Sequence, residues 1–131
     1  MHELKIRVYY EDTDAGGVVY HARYLAFAER GRTEMLRAAG YEHAPLLNDG
    51  GLAFAVVGAD IQYKAPARLD DLLTVKSEIT RVGGASMEIR QEISCDDRLL
   101  TVIKVTLVCV DSAFKAARLP AEIKGIFDSK S

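Results

Sequence analysis

Residues 8–40 read VYYEDTDAGGVVYHARYLAFAERGRTEMLRAAG and contain the only long helix pattern in the chain, preceded by a turn. Over residues 21–39 the apolar side chains recur on one face at the 100° spacing of an α-helix, and Gly40 is typical of the position just after a helix end. Phe27 falls on the opposite side, so we expect a helix that is apolar on more than one stripe and largely enclosed. Gly31 costs a helix about 1 kcal/mol relative to Ala, which indicates a place where another backbone comes close.

Five stretches before and after this helix show either the period-2 alternation of a half-buried strand or a run that is apolar on both faces. They are residues 4–10, 52–63, 72–81, 86–94 and 99–110. Gly58 interrupts the second stretch and predicts a bulge there, and the last stretch is apolar on both faces, which predicts an internal strand. A turn at residues 48–51 and a short helix from Pro120 to about Phe127 complete the pattern. The sequence therefore predicts an α+β fold in which an antiparallel sheet of about five strands wraps around one long helix. Such a sheet leaves free edges, and edge pairing between two copies would cover one of them.

The length and the net charge of the chain limit the class of protein to which it can belong. The chain has 131 residues, 17 Lys plus Arg and 19 Asp plus Glu, for a net charge of −2. This length fits a single domain spanning 1–131, and the charge balance gives no overall field for nucleic acid. We expect no membrane-spanning segment, because no apolar run approaches the roughly 20 residues needed to cross a bilayer, and the first residues do not resemble an export signal. Cys95 and Cys109 show no metal or redox spacing, so we expect reduced thiols in the cytoplasm.

The chemistry-bearing residues are concentrated between the first strand and the helix, from Tyr9 to His21. This segment carries Asp12, Asp14, two glycines and a histidine at a helix start, where the first backbone N–H groups lack partners and no Ser, Thr, Asp or Asn directly precedes them as a cap. A ligand carbonyl bound there would have its developing oxyanion stabilised, while Asp14 supplies a base or nucleophile. Spacing alone leaves an alternative open, namely an ordinary Asp- and Gly-rich turn whose side chains bond the local backbone.

Spacing argues against four other site types. Asp12-x-Asp14 resembles the opening of a calcium loop, but the twelfth position would be Arg23 instead of a bidentate Glu. The chain lacks the GxGxxG and GxxxxGK phosphate motifs, and residues 84–88 fail the Gly-x-Ser-x-Gly pattern of a serine hydrolase at the last position. The three histidines, one of them His43, are far apart in sequence. We therefore expect neither a metal nor a cofactor.

The whole segment from Val8 to Gly40 resembles the N-terminal signature of the 4-hydroxybenzoyl-CoA thioesterase group of hotdog-fold proteins, most closely the Tol-Pal-associated acyl-CoA thioesterases. The likeness continues in YKAPARLDD at residues 63–71 and VCVD at residues 108–111, so it covers nearly the whole chain. The family commonly has Asn where this chain has Arg23, a departure that we expect to affect substrate contacts and not the reaction.

The resemblance implies a hotdog fold and a thioester hydrolase. Asp14 matches the family's catalytic carboxylate, which attacks the thioester carbonyl or activates water. His21 matches a site residue whose backbone N–H polarises the thioester C=O, and Tyr10 matches an auxiliary residue lining the site. Gly17 and Val18, at the end of the turn, are expected to contact substrate. The family pairs two chains into one continuous sheet with active sites at the dimer interface, and dimers often form tetramers.

The outer parts of the expected site are less specific. Tyr63, Lys64 and Arg68 are predicted to line the groove from the partner chain, with the two cations meeting CoA phosphates, although an ordinary strand connection explains the same residues. The basic segment 114–124 is either a second phosphate-contacting rim or a solvated tail. The resulting hypothesis is an acyl-CoA thioesterase, for which acyl carrier protein is a second candidate carrier and the Tol-Pal envelope system a functional link by resemblance. The alternative is a non-catalytic acyl-CoA or acyl-carrier-protein binding or scaffold protein.

Overall fold

The computed structural model describes residues 1–40 and 52–129. The predicted turn at residues 48–51 and His43 lie outside these residues. The strands and helices follow one another as β1 (His2–Arg7), α1 (Arg23–Ala38), β2 (Ala53–Tyr63), β3 (Leu72–Val82), β4 (Ser86–Cys95), β5 (Arg98–Val110) and α2 (Ala121–Ser129), with a 3-10 turn at Tyr10–Asp12 between β1 and α1.

The five strands form one antiparallel sheet, which confirms the predicted sheet of about five strands, and their order is β1-β3-β4-β5-β2. β5 lies between β4 and β2, which confirms the internal position expected from its two apolar faces. The register of β2 against β5 shifts between Val56 and Gly58, which confirms the predicted bulge. β2 forms one edge of the sheet and exposes Val56 and Val57, which are 51% and 62% accessible.

The first strand is shorter than predicted. β1 ends at Arg7 instead of continuing to residue 10. The carboxylate of Asp12 accepts the Tyr9 N–H at 2.9 Å and thereby folds the chain into the 3-10 turn. A local side-chain hydrogen bond has overridden the alternating pattern.

Helix α1 packs against β1, β3 and β4. Its buried face consists of Tyr24, Phe27, Ala28, Gly31, Met35 and Leu36. Full burial of a side chain such as Phe27 stabilises the fold by about 1.5–3 kcal/mol. The prediction of an enclosed helix is wrong for a single chain, because the sheet covers only one side and Leu25 on the other remains 40% exposed. Gly40 confirms the predicted helix end, with a φ of 93° just beyond the last turn.

The middle of α1 is held against the sheet at Gly31. A Cβ at this position would stand 2.5 Å from Cγ1 of Val75, so the close approach is confirmed, although the neighbours are side chains and not another backbone. Beside this contact, the buried amide of Gln91 donates to the Ala28 carbonyl at 2.7 Å and to the Ser77 hydroxyl at 2.8 Å. These contacts fix the distance of the helix from β3 and β4 and thereby the position of its N-terminus.

The chain after β5 folds back onto the sheet and is not a solvated tail. The Ala117 N–H donates to Cys109 O at 2.8 Å, and the Leu119 N–H donates to Gly84 O at 2.9 Å. Ile123 in α2 is fully buried. Within residues 1–40 and 52–129, neither helix is long and apolar enough to cross a bilayer.

Candidate active site

Residues 12–20 form a short hairpin between the 3-10 turn and α1. Thr13 pairs with Val19, the Asp14 N–H donates to Val18 O at 2.9 Å, and the Tyr20 N–H donates to Asp12 O at 2.9 Å. An extended chain would place residues seven apart about 24 Å from each other, and the hairpin brings Asp14 and the helix start much closer than that. Gly17 lies in the bend with a φ of 79°, a conformation that side-chain-bearing residues rarely adopt.

The two carboxylates of the hairpin have different surroundings. Asp12 is 4% exposed, and its oxygens are occupied by the Arg23 guanidinium and the Tyr9 N–H. Asp14 is exposed, and its Oδ1 accepts the Gly16 N–H at 2.8 Å, which is the only side-chain hydrogen bond of Asp14 within the described residues. The Asp-Gly turn is therefore present, and the same turn holds an accessible carboxylate. Only Asp14 has oxygen atoms free to meet a ligand.

Helix α1 begins at Arg23, two residues later than predicted, and its N-cap is Ala22, which provides no side-chain hydrogen bond. The Arg23 N–H donates to Tyr20 O at 2.9 Å. Among the described residues, no hydrogen bond occupies the N–H of His21, whose ring is exposed beside that of Tyr20. The backbone therefore presents an available donor at the positive end of the helix.

The connection between β2 and β3 packs onto this helix start within the same chain. The Tyr63 hydroxyl donates to the His21 carbonyl at 2.9 Å, and the Tyr24 hydroxyl accepts the Ala67 N–H at 3.0 Å. The Tyr24 and Tyr63 rings meet edge to face with centroids 5.5 Å apart. Burial raises the pKa of the Tyr24 hydroxyl, which keeps it a neutral phenol. The connection thus supports the helix start.

The other predicted site residues lie at the same end of the molecule as the hairpin. Val18 and Arg68 form a β-bridge, which places the Arg68 side chain beside the hairpin. Lys64 is exposed and anchored through its N–H to Leu100 O at 2.8 Å. Tyr10 belongs to the 3-10 turn and is 81% exposed. Within one chain, Tyr63 contacts its own helix, whereas the sequence assigned it to the partner's groove.

The basic residues of the C-terminal segment lie elsewhere. Arg118 and Lys124 border a depression with Gly83 and Gly84, next to the Val82 end of β3. The hairpin meets the sheet at the opposite, Leu72 end, because the Val8 N–H donates to Asp71 O. The two ends of this eleven-residue strand are about 33 Å apart. The predicted phosphate rim is therefore wrong for the site of the same chain.

Sequence reasoning missed the role of Arg23. Its Nε and Nη2 donate to Asp12 Oδ1 at 2.9 and 2.6 Å, so it braces the hairpin instead of lying free toward substrate as expected. One signal was present: the first helical turn contains no acidic residue but begins with this cation, which opposes the helix dipole. No group of three or more His, Cys, Asp and Glu side chains within residues 1–40 and 52–129 has metal-site geometry.

Known proteins that are similar to this chain identify its family. The family model described as "Thioesterase superfamily" matches residues 16–102. The chain belongs to the thioesterase superfamily. The acyl-CoA thioester hydrolase YbgC of Escherichia coli O6:H1 is 48% identical over 124 residues, covering 93% of this chain and 92% of the relative. The acyl-CoA thioesterase YbgC of Haemophilus influenzae is 46% identical over 123 residues, covering 93% and 90%.

Among solved structures, a probable thioesterase from Bartonella henselae superposes with a TM-score of 0.88 at 42% identity, covering 91% of this chain and 98% of that one. The five-stranded antiparallel sheet with its helix is thus the hotdog fold of this superfamily, as predicted. The prediction of an enzyme is also confirmed: the chain is a thioester hydrolase.

Proposed function

We propose that this thioesterase hydrolyses acyl-CoA to a free acid and CoA, with Asp14 as nucleophile or general base and the His21 N–H as oxyanion donor. One observation carries the proposal: an accessible carboxylate is held by a hairpin next to the start of α1, where the N–H of His21, two residues before the first helical residue, has no hydrogen bond among the described residues. The names of the relatives in Escherichia coli and Haemophilus influenzae supply the substrate class.

A thioester suits so small a set of groups. Its carbonyl carbon is more electrophilic than that of an ester, and a thiolate leaves readily. One carboxylate and a preorganised backbone donor can therefore suffice without a Ser-His-Asp triad. As the carbonyl oxygen gains negative charge, the His21 N–H and the positive end of α1 stabilise it.

Two routes satisfy this geometry. If Asp14 is the nucleophile, its oxygen bonds to the acyl carbon, the C–S bond breaks with release of CoA thiolate, and water then hydrolyses the acyl-aspartyl anhydride. If Asp14 is the base, it takes a proton from water as water attacks the carbonyl directly. In single-turnover hydrolysis in ¹⁸O-labelled water, label entering the Asp14 carboxylate would exclude direct water attack, because it requires water to attack the Asp14 carbonyl carbon of the anhydride.

We propose that several residues around the hairpin contact the substrate. Arg68, beside the hairpin, and Lys64, four residues earlier, supply cations for the CoA phosphates. Gly17 and Val18 in the hairpin, with Tyr10 in the turn before it, line the approach to Asp14. Tyr63 acts through the helix start, since its hydroxyl holds the His21 carbonyl. Acyl carrier protein remains a second candidate carrier.

We further propose that the active unit is at least a homodimer. Within residues 1–40 and 52–129, β2 is an edge strand of the sheet and exposes Val56 and Val57, and Leu25 on the uncovered side of α1 is 40% exposed. Pairing of two β2 edges would continue the sheet and shield these side chains. Sedimentation equilibrium is expected to give a dimer or tetramer mass, and a monomer would contradict this proposal. Cytoplasmic location and the Tol-Pal link stay predictions.

The proposed activity is tested with a panel of short, long and aromatic acyl-CoAs and a colorimetric trap for the released thiol, with Asp14→Ala as the control. We expect thiol release from at least one class with the native chain and none with the variant. Calorimetric binding of acyl-CoA without thiol release from any member would instead support the non-catalytic binding alternative.

A further inference from the structure

In the Arg23–Asp12 ion pair, each charged side chain would destabilise the fold if the other were absent. Arg23 begins α1, where a cation opposes the positive helix end, and no acidic residue of the first turn offsets it. Asp12 is 4% exposed, and a buried carboxylate is costly unless it is fully paired. The cost of a cation at the helix start and the cost of a buried carboxylate offset each other because the two side chains form an ion pair.

Both carboxylate oxygens of Asp12 accept hydrogen bonds. Asp12 Oδ1 accepts from Nε and Nη2 of Arg23 at 2.9 and 2.6 Å, and Oδ2 accepts the Tyr9 N–H at 2.9 Å. The backbone oxygen of Asp12 accepts the Tyr20 N–H at 2.9 Å. One residue thus connects the chain entering the hairpin, the chain leaving it and the first turn of the helix.

Asp14 lies two residues beyond this junction. Its own anchors are the bonds to Val18 O and from the Gly16 N–H, both within the hairpin. They fix the shape of the hairpin but not its position relative to α1. The backbone bond from the Arg23 N–H to Tyr20 O joins the end of the hairpin to the helix, and the Arg23–Asp12 pair adds a side-chain link between them. The pair therefore helps to set the position of the carboxylate relative to the His21 N–H.

The pair has an electrostatic consequence as well. Two carboxylates near one helix start would compete for its positive end, and an unbalanced charge on Asp12 would oppose the negative charge developing on the substrate oxygen. Arg23 neutralises Asp12 and leaves Asp14 as the unpaired carboxylate of the hairpin.

We infer that Arg23 is a positioning residue for thioester hydrolysis, acting through Asp12 to hold Asp14 at the helix start; this inference rests on the role of Asp14 proposed above. Displacement of a reacting group by about 1 Å can cost on the order of a hundredfold in rate. Because Arg23 acts on geometry in the transition state and not on substrate affinity, its loss should lower kcat and leave KM nearly unchanged.

The experiment compares Arg23→Gln, Asp12→Asn and the double variant with the native chain on one acyl-CoA. Each single variant is expected to lose about tenfold or more in kcat with KM within about twofold. The double variant should lose about as much kcat as either single variant, because each single substitution already breaks the link between hairpin and helix. Arg23→Lys should recover only part of kcat, because an ammonium lacks the two-donor fork.

Arg30→Gln is the matched control, since Arg30 is an exposed arginine of the same helix. It should keep native kcat and KM. Hydrogen–deuterium exchange should quicken in peptides covering residues 9–20 of Arg23→Gln while the sheet stays protected. Native kcat in Arg23→Gln, or strictly additive losses in the double variant, overturns the inference while leaving Asp14 untouched. Native activity in Asp14→Asn would instead remove the proposed function itself. If Arg23→Gln fails to fold, the neutral double variant carries the same comparison.

Discussion

Replacement of Gly31 by Ala tests how closely α1 must lie on the sheet. The added Cβ would stand 2.5 Å from Val75 Cγ1 and 3.1 Å from the Gln91 amide nitrogen. Carbon atoms in contact prefer about 3.5–4.0 Å, so either the helix or Val75 must move by about 1 Å. Val75 is fully buried and Gln91 is fully buried beside it, which leaves little room for a side-chain adjustment.

The expected cost follows from these contacts. Overpacking of a filled core costs about 1–3 kcal/mol, and Ala recovers about 1 kcal/mol through helix propensity. If the helix moves instead, the 2.7 Å bond from Gln91 to Ala28 O lengthens to about 3.7 Å, beyond hydrogen-bonding range. A weakened buried amide then costs about 1–3 kcal/mol. After the gain in helix propensity is subtracted, the free energy of unfolding should fall by about 1 kcal/mol, and at roughly 4 °C per kcal/mol the melting temperature should fall by about 4 °C.

The assay is urea unfolding followed by circular dichroism, at a fixed protein concentration for each variant. Gly125→Ala is the matched control, because Gly125 lies in the interior of α2 and an added Cβ would meet nothing within 4 Å. It should raise the free energy of unfolding by up to about 1 kcal/mol. A Gly31→Ala variant as stable as the native chain would show that contacts at Gly31 do not fix the distance between α1 and the sheet.

Three further predictions follow from the site and its surroundings. Tyr63→Phe keeps the ring but removes the hydroxyl hydrogen bond to the His21 carbonyl, at a cost of about 1 kcal/mol. Steady-state kinetics should therefore show kcat lowered about fivefold and KM near the native value. An unchanged kcat would contradict the positioning role of Tyr63. The pair of substitutions Lys64→Ala and Arg68→Ala should raise KM for acyl-CoA about threefold to tenfold and leave that for acyl-pantetheine, which lacks the nucleotide phosphates, unchanged; equal effects on both substrates would argue against phosphate contacts. Burial raises the pKa of the Cys109 thiol above its ordinary value of 9.0, so above about pH 9 the unfolded chain ionises this thiol before the folded chain does and stability falls as pH rises. Urea titrations at pH 8 to 10.5 should show a shallower fall for Cys109→Ala, and identical slopes would exclude this contribution.

Sequence periodicity predicted most of the fold because the pattern and the environment agree. In β4, Met87, Ile89 and Ile93 alternate with charged residues, and the apolar set is fully buried. The predicted span 86–94 differs from Ser86–Cys95 by one residue. The Gly58 break likewise predicted the bulge in β2. Where one face is apolar and the other polar, the pleat leaves little freedom of register.

The site was predictable only in part. The motif indicated Asp14 and the helix start, because an uncapped helix after an Asp-Gly turn is visible in the residue order. The division of roles between Asp12 and Asp14 was not visible, since it depends on a contact across eleven residues to Arg23. Periodicity also does not reveal how much of α1 a single chain covers: the sheet covers one side of the helix, and Leu25 on the other side is 40% exposed.

The central claim is that Asp14 is the carboxylate that acts on the thioester. Its most direct test is kcat/KM of Asp14→Asn on the preferred acyl-CoA, beside Glu11→Gln, which neutralises an exposed carboxylate of the same loop region. We expect Asp14→Asn to lose at least about a thousandfold while remaining folded, and Glu11→Gln to stay within about twofold of the native chain. A folded Asp14→Asn variant with native kcat/KM would contradict the account.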